Sequence, residues 1–186
     1  MTRAIPAMLL AVPDPVRCRS GAVVARIAAL VLLCATASAH ALERPTGPVI
    51  LTVSGSIAHT NGPGVAEFDL AMLRSLDVTS FDTSTIWTEG VSRYEGVRLS
   101  VLLQAVGAEG EALTAKALND YSITFPVAEV EPDAPILAFG RDGAPMSVRD
   151  KGPLWILYPF DARAAYQSEQ VYARSVWQLN RLRVDP

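Results

Sequence analysis

Side chains suited to redox, metal and nucleophilic chemistry are scarce in this sequence. It contains only two cysteines and two histidines in 186 residues. Cys18, Cys34 and His40 all precede residue 42, so the rest of the chain has no thiol and one imidazole, His59. Residues 42–186 are therefore predicted to form no disulfide, no cysteine-ligated metal site and no Cys–His nucleophile pair.

Charge and short motifs exclude further classes of protein. Residues 42–186 carry 12 basic and 18 acidic side chains, a net charge of −6. This mild acidity gives no reason to expect nucleic acid as a partner. The sequence has no Gly-rich phosphate loop, no nucleophile elbow and no Asp-x-Asp calcium spacing, and Asp142-Gly143 is typical of a turn.

Residues 1–41 are predicted to be a cleaved secretory signal. Arginines precede an apolar run from Ile27 to Cys34, and Ala39-His40-Ala41 forms an Ala-x-Ala cleavage site. The apolar run is shorter than the about 20 residues that a membrane span needs. We expect a periplasmic protein with a tether over residues 42–48 and a single domain over residues 49–186.

Hydrophobic periodicity in this domain predicts an α+β fold that is rich in β-strands and has a few short helices. Strands are expected over six segments: Val49–Ile57, Val78–Trp87, Tyr121–Phe125, Ile136–Phe139, Leu154–Tyr158 and Val176–Val184. Short helices are expected after Asp69, a plausible N-cap, and over Leu99–Val106, with Gly107 as the end. Glu109–Lys116 is expected to be a polar connection.

The stretch from Met146 to Phe160 combines a charged loop with a buried strand. Arg149-Asp150-Lys151 precedes the corner Gly152-Pro153, whose residues restrict the turn, and an apolar run follows. Arg141–Ala144 is predicted to be a hairpin turn, with Met146 at the start of the return strand. A charged loop on a rigid strand is a common form of binding site, although a charged turn can equally be only solvated.

Several motifs of this domain occur in a recognisable order. They are Tyr94-Glu95-Gly96-Val97-Arg98-Leu99, Asn119-Asp120-Tyr121, Ile136-Leu137-Ala138-Phe139, Asp142-Gly143-Ala144-Pro145-Met146, Gly152–Pro159 and Ser175–Leu179. Their order and spacing resemble the oxidoreductase molybdopterin-binding domain, which is the fold of the sulfite oxidase catalytic core. The resemblance covers Val49–Val184 and implies a domain of that type with a pterin site.

The chain departs from that family at the metal ligand. In the enzymes of the family a cysteine upstream of the Tyr94–Leu99 motif ligates molybdenum, whereas here Thr83-Ser84-Thr85 occupies the corresponding place. A hydroxyl near its ordinary pKa is a poor replacement for a soft thiolate on a transition metal. We therefore expect a pterin-type ligand without molybdenum.

A secreted, cysteine-free domain of this type resembles small periplasmic pterin-binding proteins of the PruR type. That resemblance implies a non-catalytic sensor or accessory that binds a reduced or molybdopterin-like pterin. It also implies a partner, the periplasmic domain of a membrane-bound cyclic-di-GMP signalling protein. Two alternatives stay open: a molybdopterin-dependent oxidoreductase with a non-cysteine metal ligand, and a protein-interaction module that no longer uses its pocket.

A pterin requires hydrogen-bonding groups at its edge and an aromatic or apolar surface for its face. The candidate ligand-binding residues are Thr83, Ser84, Thr85, Trp87, Asn119, Asp120, Tyr121, Met146, Arg149, Asp150 and Lys151. Each has a simpler interpretation, since threonine is common in strands and Asn-Asp in turns. Trp155, Tyr158 and Trp177 are more typical of a core or a pocket rim. The sequence indicates no catalytic residue and no metal ligand.

Overall fold

The computed structural model describes residues 42–186, so the predicted signal and its cleavage site lie outside the described residues. The described part is a mixed, sheet-rich domain with two five-stranded sheets and a few short helices. The predicted α+β class, rich in strands and with a few short helices, is confirmed. No helix among the described residues is long and apolar enough to cross a membrane.

Ten strands and three α-helices follow one another within residues 42–186. The strands are β1 Leu51–Gly55, β2 Val65–Phe68, β3 Val78–Thr85, β4 Thr88–Arg98, β5 Ala112–Ala117, β6 Ser122–Pro126, β7 Ile136–Arg141, β8 Ala144–Pro145, β9 Trp155–Leu157 and β10 Leu179–Asp185. The α-helices are α1 Leu70–Ser75, α2 Leu99–Ala105 and α3 Glu169–Arg174. Short 3-10 helices cover Val127–Glu129, Val148–Asp150 and Ala164–Tyr166.

The first sheet has the strand order β2-β1-β10-β5-β6. β1 and β10 pair in parallel, with Val53 opposite Leu182, and the other neighbours pair antiparallel. Buried and half-buried positions alternate along β1 and β5, which places Val53, Leu113 and Ala115 in the core. This sheet therefore has one buried face and one face towards solvent.

The second sheet has the order β3-β4-β7-β8, and β9 pairs with β7 as well. Residues 136–140 of β7 and all three residues of β9 are buried, so both faces of these strands are covered. β4 is the longest strand, with eleven residues, and it forms a hairpin with β3. The tip of this hairpin carries Trp87.

Asp69 joins the N-terminal tether to the domain. One carboxylate oxygen accepts the N–H of Met72 at 2.8 Å, which confirms the predicted N-cap of α1. The other oxygen accepts the N–H groups of Thr46 and Gly47 at 2.8 and 2.7 Å. These donors, Met72 first, hold the pKa of Asp69 below its ordinary value because they stabilise the carboxylate. The tether over residues 42–48 is thus fixed to the start of α1.

Three predicted segments differ from the structure. Glu109–Lys116 was predicted to be a polar connection, which is wrong, because β5 occupies Ala112–Ala117 with Leu113, Ala115 and Ala117 facing the core. The return strand β8 ends at Pro145 and does not begin at Met146, since the chain turns there into the 3-10 helix Val148–Asp150. The last strand begins at Leu179, because Gln178 has a φ of 51°.

Close backbone packing beneath the charged loop requires glycine at position 152. A Cβ added to Gly152 would lie 2.0 Å from the carbonyl oxygen of Met146, far inside van der Waals contact. We expect Gly152→Ala to lower the free energy of unfolding by more than about 2 kcal/mol, because the Met146 backbone must move. Chemical denaturation of the purified protein measures this difference.

Gly140→Ala in β7 is the matched control for this prediction. A Cβ at Gly140 would meet its nearest neighbour at 3.5 Å, an ordinary contact, and the backbone conformation there suits alanine. The control should change the free energy of unfolding by less than about 1 kcal/mol. Equal losses of unfolding free energy in Gly152→Ala and Gly140→Ala would contradict the prediction that the short distance between residue 152 and the Met146 backbone requires glycine.

Candidate ligand-binding site

The turn between β3 and β4 directs Trp87 towards the domain. The Thr85 hydroxyl oxygen accepts the N–H of Trp87 at 3.1 Å and lies 2.8 Å from the hydroxyl of Thr88. These contacts close the turn locally, as side-chain oxygens of Ser and Thr commonly do. Ile86, the other residue of the turn, remains 64% exposed. The hairpin therefore presents an aliphatic side chain outwards and an indole inwards.

Trp87 lies at the centre of an aromatic cluster. Its ring makes edge-to-face contacts with Trp155, Phe160, Tyr172 and Trp177, at centroid distances of 5.7, 6.0, 5.7 and 5.5 Å. Each such pair contributes about 0.5–1.5 kcal/mol beyond the burial of its area. The cluster contains all three tryptophans of the sequence. Its position is fixed by Trp155, which is fully buried.

A cavity of about 320 Å³ opens on one side of Trp87, and we call it the aromatic cleft. It is lined by Trp87, Asn119, Tyr121, Tyr172, Ala173, Ser175, Val176 and Trp177. The Asn119 side-chain oxygen accepts the N–H of Tyr121 at 3.1 Å, and the Tyr121 hydroxyl donates to the carbonyl of Ala173 at 3.0 Å. The amide NH₂ of Asn119 makes no hydrogen bond to residues 42–186 and is available at the cleft wall.

A second cavity, of about 260 Å³, lies on another side of Trp87, and we call it the basic cleft. It is lined by Trp87, Thr88, Glu89, Arg141, Arg149, Asp150 and Lys151. The ammonium nitrogen of Lys151 lies 4.1 Å from the ring centroid of Trp177 and 5.8 Å from that of Trp155. This cation–π contact places a positive charge against a ring that also lines the aromatic cleft.

The hydroxyls of Thr83 and Ser84 bind another part of the protein. Ser84 donates its N–H and its hydroxyl to the carboxylate of Asp161, and the hydroxyl contact is 2.7 Å long. The Thr83 hydroxyl accepts the N–H of Asp161 at 3.2 Å and donates to the carbonyl of Ser84 at 3.1 Å. We call this arrangement the Asp161 clamp. The Ser84 N–H and then its hydroxyl hold the pKa of Asp161 below its ordinary value.

The structure distributes the predicted site residues among three neighbouring clefts. Trp87, Asn119 and Tyr121 line the aromatic cleft. Trp87 also lines the basic cleft, together with Arg149, Asp150 and Lys151. Ser84 and Thr85 line a smaller cavity of about 200 Å³ beside the Asp161 clamp.

Three predicted site residues line none of these clefts. Thr83 is fully buried in the Asp161 clamp, and Met146 is buried beneath the charged loop. Asp120 is exposed and pairs with Lys116, whose nitrogen lies 2.9 Å from its carboxylate. The pairing with Lys116 lowers the pKa of Asp120.

The residues that sequence reasoning missed lie in the segment after Pro159. Tyr172 borders both the aromatic cleft and the small cavity, and Asp161 forms the clamp. A weak signal for this region was present, because Ser168 before Glu169 is a typical helix start. The Ser168 hydroxyl indeed accepts the N–H of Val171 at 3.4 Å at the beginning of α3. Trp177, predicted to be core or rim, lines the aromatic cleft.

The hydroxyls at positions 83 and 84 do not fit molybdenum ligation. Both are hydrogen-bonded within the Asp161 clamp, and neither provides a soft ligand. Among residues 42–186 no group of three His, Cys, Asp or Glu side chains is arranged to hold a metal ion. Comparison of the sequence with protein-family models and with curated proteins gives no match.

The Asp161 clamp predicts a pH-dependent contribution to stability. Because the folded pKa of Asp161 lies below its ordinary 3.8, its contribution is fully present above that value and is lost as the pH falls through the lowered pKa. Asp161→Asn should therefore lower the free energy of unfolding at neutral pH, and the difference from wild type should shrink in acid. Denaturant titrations of both proteins at a series of pH values measure this difference in the free energy of unfolding.

Asp82→Asn is the matched control for the clamp. Asp82 lies on the same strand, β3, and its exposed carboxylate makes no hydrogen bond or ion pair with residues 42–186. The control should leave stability nearly unchanged across the pH range. A difference between Asp161→Asn and wild type that persists undiminished in strong acid would contradict the charged hydrogen bond as its cause.

Proposed function

We propose that this protein binds a pterin in the aromatic cleft and acts as a periplasmic ligand sensor or accessory protein, without catalysing a reaction. The observation that carries the proposal is the wall formed by Trp87, Tyr172 and Trp177 beside the free amide group of Asn119. A flat heteroaromatic ring needs this combination of an aromatic surface for its face and a hydrogen-bond donor for its edge.

The dimensions of the aromatic cleft support a small flat ligand. Its volume of about 320 Å³ is at the lower end of the range for ligand pockets, about 300–1,000 Å³. A bicyclic ring with a short substituent suits such a volume better than a dinucleotide does. Ala173 and Val176 add apolar surface, while Asn119, Tyr121 and Ser175 add polar atoms at the wall.

The chemistry of the wall supports binding in preference to catalysis. The side chains that line the aromatic cleft are aromatic, apolar or neutral and polar, with no carboxylate, imidazole or amine among them. Histidine, aspartate, glutamate and lysine are the usual general acids and bases of enzymes. His59 lies elsewhere, with its ring nitrogen 3.0 Å from the carbonyl of Ala105.

The positions of the recognised motifs support a domain of the sulfite oxidase molybdopterin-binding type. The Gly152–Pro159 motif contains β9, and the Ser175–Leu179 motif runs beside it into β10. Ile156 donates its N–H to Val176, and Leu179 donates to Leu154, both at 2.9 Å. Two motifs that the resemblance rests on therefore lie side by side, and the second of them, Ser175–Leu179, lines the aromatic cleft. We propose as downstream partner the periplasmic domain of a membrane-bound cyclic-di-GMP signalling protein.

Binding of a pterin can be tested directly with the protein lacking residues 1–41. We expect equilibrium dialysis against reduced and oxidised pterins to show saturable binding of one ligand per chain. Binding should also quench the intrinsic fluorescence, because all three tryptophans belong to the cluster around the cleft. Trp87→Leu should weaken binding by roughly tenfold, in the range of base–aromatic stacking energies, and Trp87→Phe by less.

Failure of every common pterin to bind would overturn the proposal. Because Trp87 also packs on four other rings, a loss of stability in its variants can lower the apparent affinity as lost stacking does. The unfolding transition of each Trp87 variant is therefore measured beside its affinity. Stoichiometric molybdenum in protein purified from its own periplasm would instead favour the alternative function, a molybdopterin-dependent oxidoreductase.

The free amide group of Asn119 gives a second, finer prediction. Asn119→Asp keeps an oxygen that accepts the Tyr121 N–H, removes the NH₂ donor of Asn119 and adds a negative charge. We expect this variant to fold normally and to bind the pterin several-fold to about tenfold more weakly, the usual effect of losing one hydrogen bond. Isothermal titration calorimetry measures the change.

Gln104→Glu is the control for the charge that Asn119→Asp introduces. Gln104 is exposed on α2 and lines none of the three clefts. This variant adds the same negative charge away from the site and should bind the pterin as wild type does. An unchanged affinity of Asn119→Asp would show that the Asn119 amide does not contact the ring.

A further inference from the structure

We propose that the outer edge of β3 pairs with the same edge of a second copy of this protein, so that the second sheets of two molecules form one continuous sheet. The two β3 strands run antiparallel about a two-fold axis beside Ser80. The inference goes beyond the proposed function, because it uses the backbone of β3 and needs no ligand in either cleft.

The hydrogen bonds of β4 show which way the backbone groups of β3 point. Arg93 of β4 lies opposite Asp82 of β3. The Arg93 N–H donates to the carboxylate of Asp142 at 2.9 Å, and the Arg93 carbonyl accepts the N–H of Asp142 at 2.8 Å. Because both groups of Arg93 point away from β3, Asp82 and Arg93 form a non-hydrogen-bonded pair. The N–H and C=O groups of Asp82, and by alternation those of Ser80 and Val78, therefore point to the outer edge of β3.

This outer edge is closed at one end and open along the rest. The N–H of Ser84, which points the same way, donates to the carboxylate of Asp161, so the Asp161 clamp closes the edge near the hairpin tip. From Val78 to Asp82 the outward backbone groups make no hydrogen bond to another residue of the range 42–186. β3 also contains no Lys, Pro or Gly, the residues that commonly block an edge. A row of unpaired N–H and C=O groups is a template for pairing with another strand.

The edge strands of the first sheet are protected in ways that β3 is not. The Asn61 side chain accepts the N–H of Glu67 and donates to its carbonyl, both at 2.8 Å, as a neighbouring strand does. The N–H groups of Asn61 and Gly62 both donate to the carbonyl of Val65 at 3.1 Å. These bonds close β2, and β6 ends at Pro126, which has no N–H to offer. The open edge of β3 is therefore a particular feature of that strand.

The open segment of β3 is complementary to itself. With Ser80 opposite its own counterpart, Val78 lies opposite the Asp82 of the second copy, and each opposing pair exchanges both of its hydrogen bonds. On the inner face the half-buried ring of Phe81 then lies opposite Thr79, an aromatic and β-branched pair of the kind that stabilises sheets. An axis beside Phe81 would instead place Ser84, whose N–H is already engaged, opposite Val78.

The charges of the edge fit the same register. Asp82 is the charged residue of β3, and its side chain is exposed. Pairing centred on Ser80 separates the two Asp82 residues by about 14 Å along the strands. This distance exceeds the Debye length of about 8 Å at physiological ionic strength, so the two carboxylates repel each other little. Because a strand pair this short buries less than the roughly 1,200–2,000 Å² of a stable interface, the dimer is weak, with a dissociation constant of roughly 10–100 µM.

Sedimentation velocity of residues 42–186, which contain both sheets and the core, tests the pairing. We expect monomer at about 1 µM and mostly dimer at about 1 mM. Ser80→Pro removes the outward N–H and leaves the β3–β4 hydrogen bonds in place, so it should remain monomeric at about 1 mM. Ser80→Thr is the matched control, because it keeps the N–H and the hydroxyl that accepts from Arg93, and it should dimerise as wild type does.

A pair of cysteine variants tests the register and does not depend on how well the proline variant folds. Residues 42–186 contain no cysteine, so each variant has one thiol. Opposing residues of a hydrogen-bonded pair have Cα atoms about 5.5 Å apart, within the range that a disulfide spans. Under oxidised glutathione, Ser80→Cys should form a covalent dimer at least about tenfold faster than Asp82→Cys, whose thiols are too far apart in this register.

Three outcomes would overturn the inference. A wild-type protein that is monomeric at about 1 mM would show that β3 does not pair with a second copy and leaves its edge to another protein. If Ser80→Pro has the unfolding transition of wild type and still dimerises, the interface lies elsewhere. Equal rates of disulfide formation in Ser80→Cys and Asp82→Cys would contradict the axis beside Ser80. None of these outcomes affects the proposed binding of a pterin, which is measured separately.

Discussion

The edge-to-face packing of Trp87 against four other rings is the contact on which the candidate site depends. The rings come from separate parts of the chain: the β3–β4 turn, β9, the segment after it, α3 and the residues before β10. Among residues 42–186, β3 lies at the edge of its sheet and pairs with β4 alone. Backbone pairing of strands therefore does not hold the tip of the β3–β4 hairpin against the other rings of the cluster. Aromatic contacts and the Asp161 clamp make that connection. Removing the Trp87 ring would therefore loosen the cleft walls together.

The same indole gives the two clefts opposite chemical characters. On one side, Trp87 faces Tyr172, Trp177 and the amide of Asn119, and on the other it borders a charged cleft lined by three cations and two carboxylates. Lys151 connects the sides, because its ammonium group lies against the ring of Trp177. An electron-rich ring face next to a cation is favourable in itself, so the protein holds Lys151 in place before any ligand arrives. The aromatic cleft and the basic cleft therefore share one packed unit of aromatic rings.

Local hydrophobic pattern predicted the elements that bury large side chains. The helix Leu99–Val106 and the strand Ile136–Phe139 were predicted because leucine periodicity and an unbroken apolar run are strong signals, and the structure has them at Leu99–Ala105 and Ile136–Arg141. β5 was missed because its inward residues are mostly alanine, and β4 was missed because charged residues and glycines interrupt its alternation. The sequence also named Trp87, Asn119 and Tyr121 as neighbours in one site. It could not show that Trp177 joins them, since that depends on how β10 begins.

The Asp161 clamp gives the hydroxyls of β3 partners within the protein, which residue type alone does not indicate. Thr83 and Ser84 were predicted to face a ligand, yet they bind a carboxylate 77 residues beyond Ser84 in the chain. Asp161 directly follows Phe160, whose ring packs on Trp87. The clamp thus fixes the start of the segment that completes the aromatic cluster. Under the proposed fold, the position that carries a metal ligand in the enzymes is a structural anchor in this protein, and the proposed ligand site lies at the aromatic rings beside it.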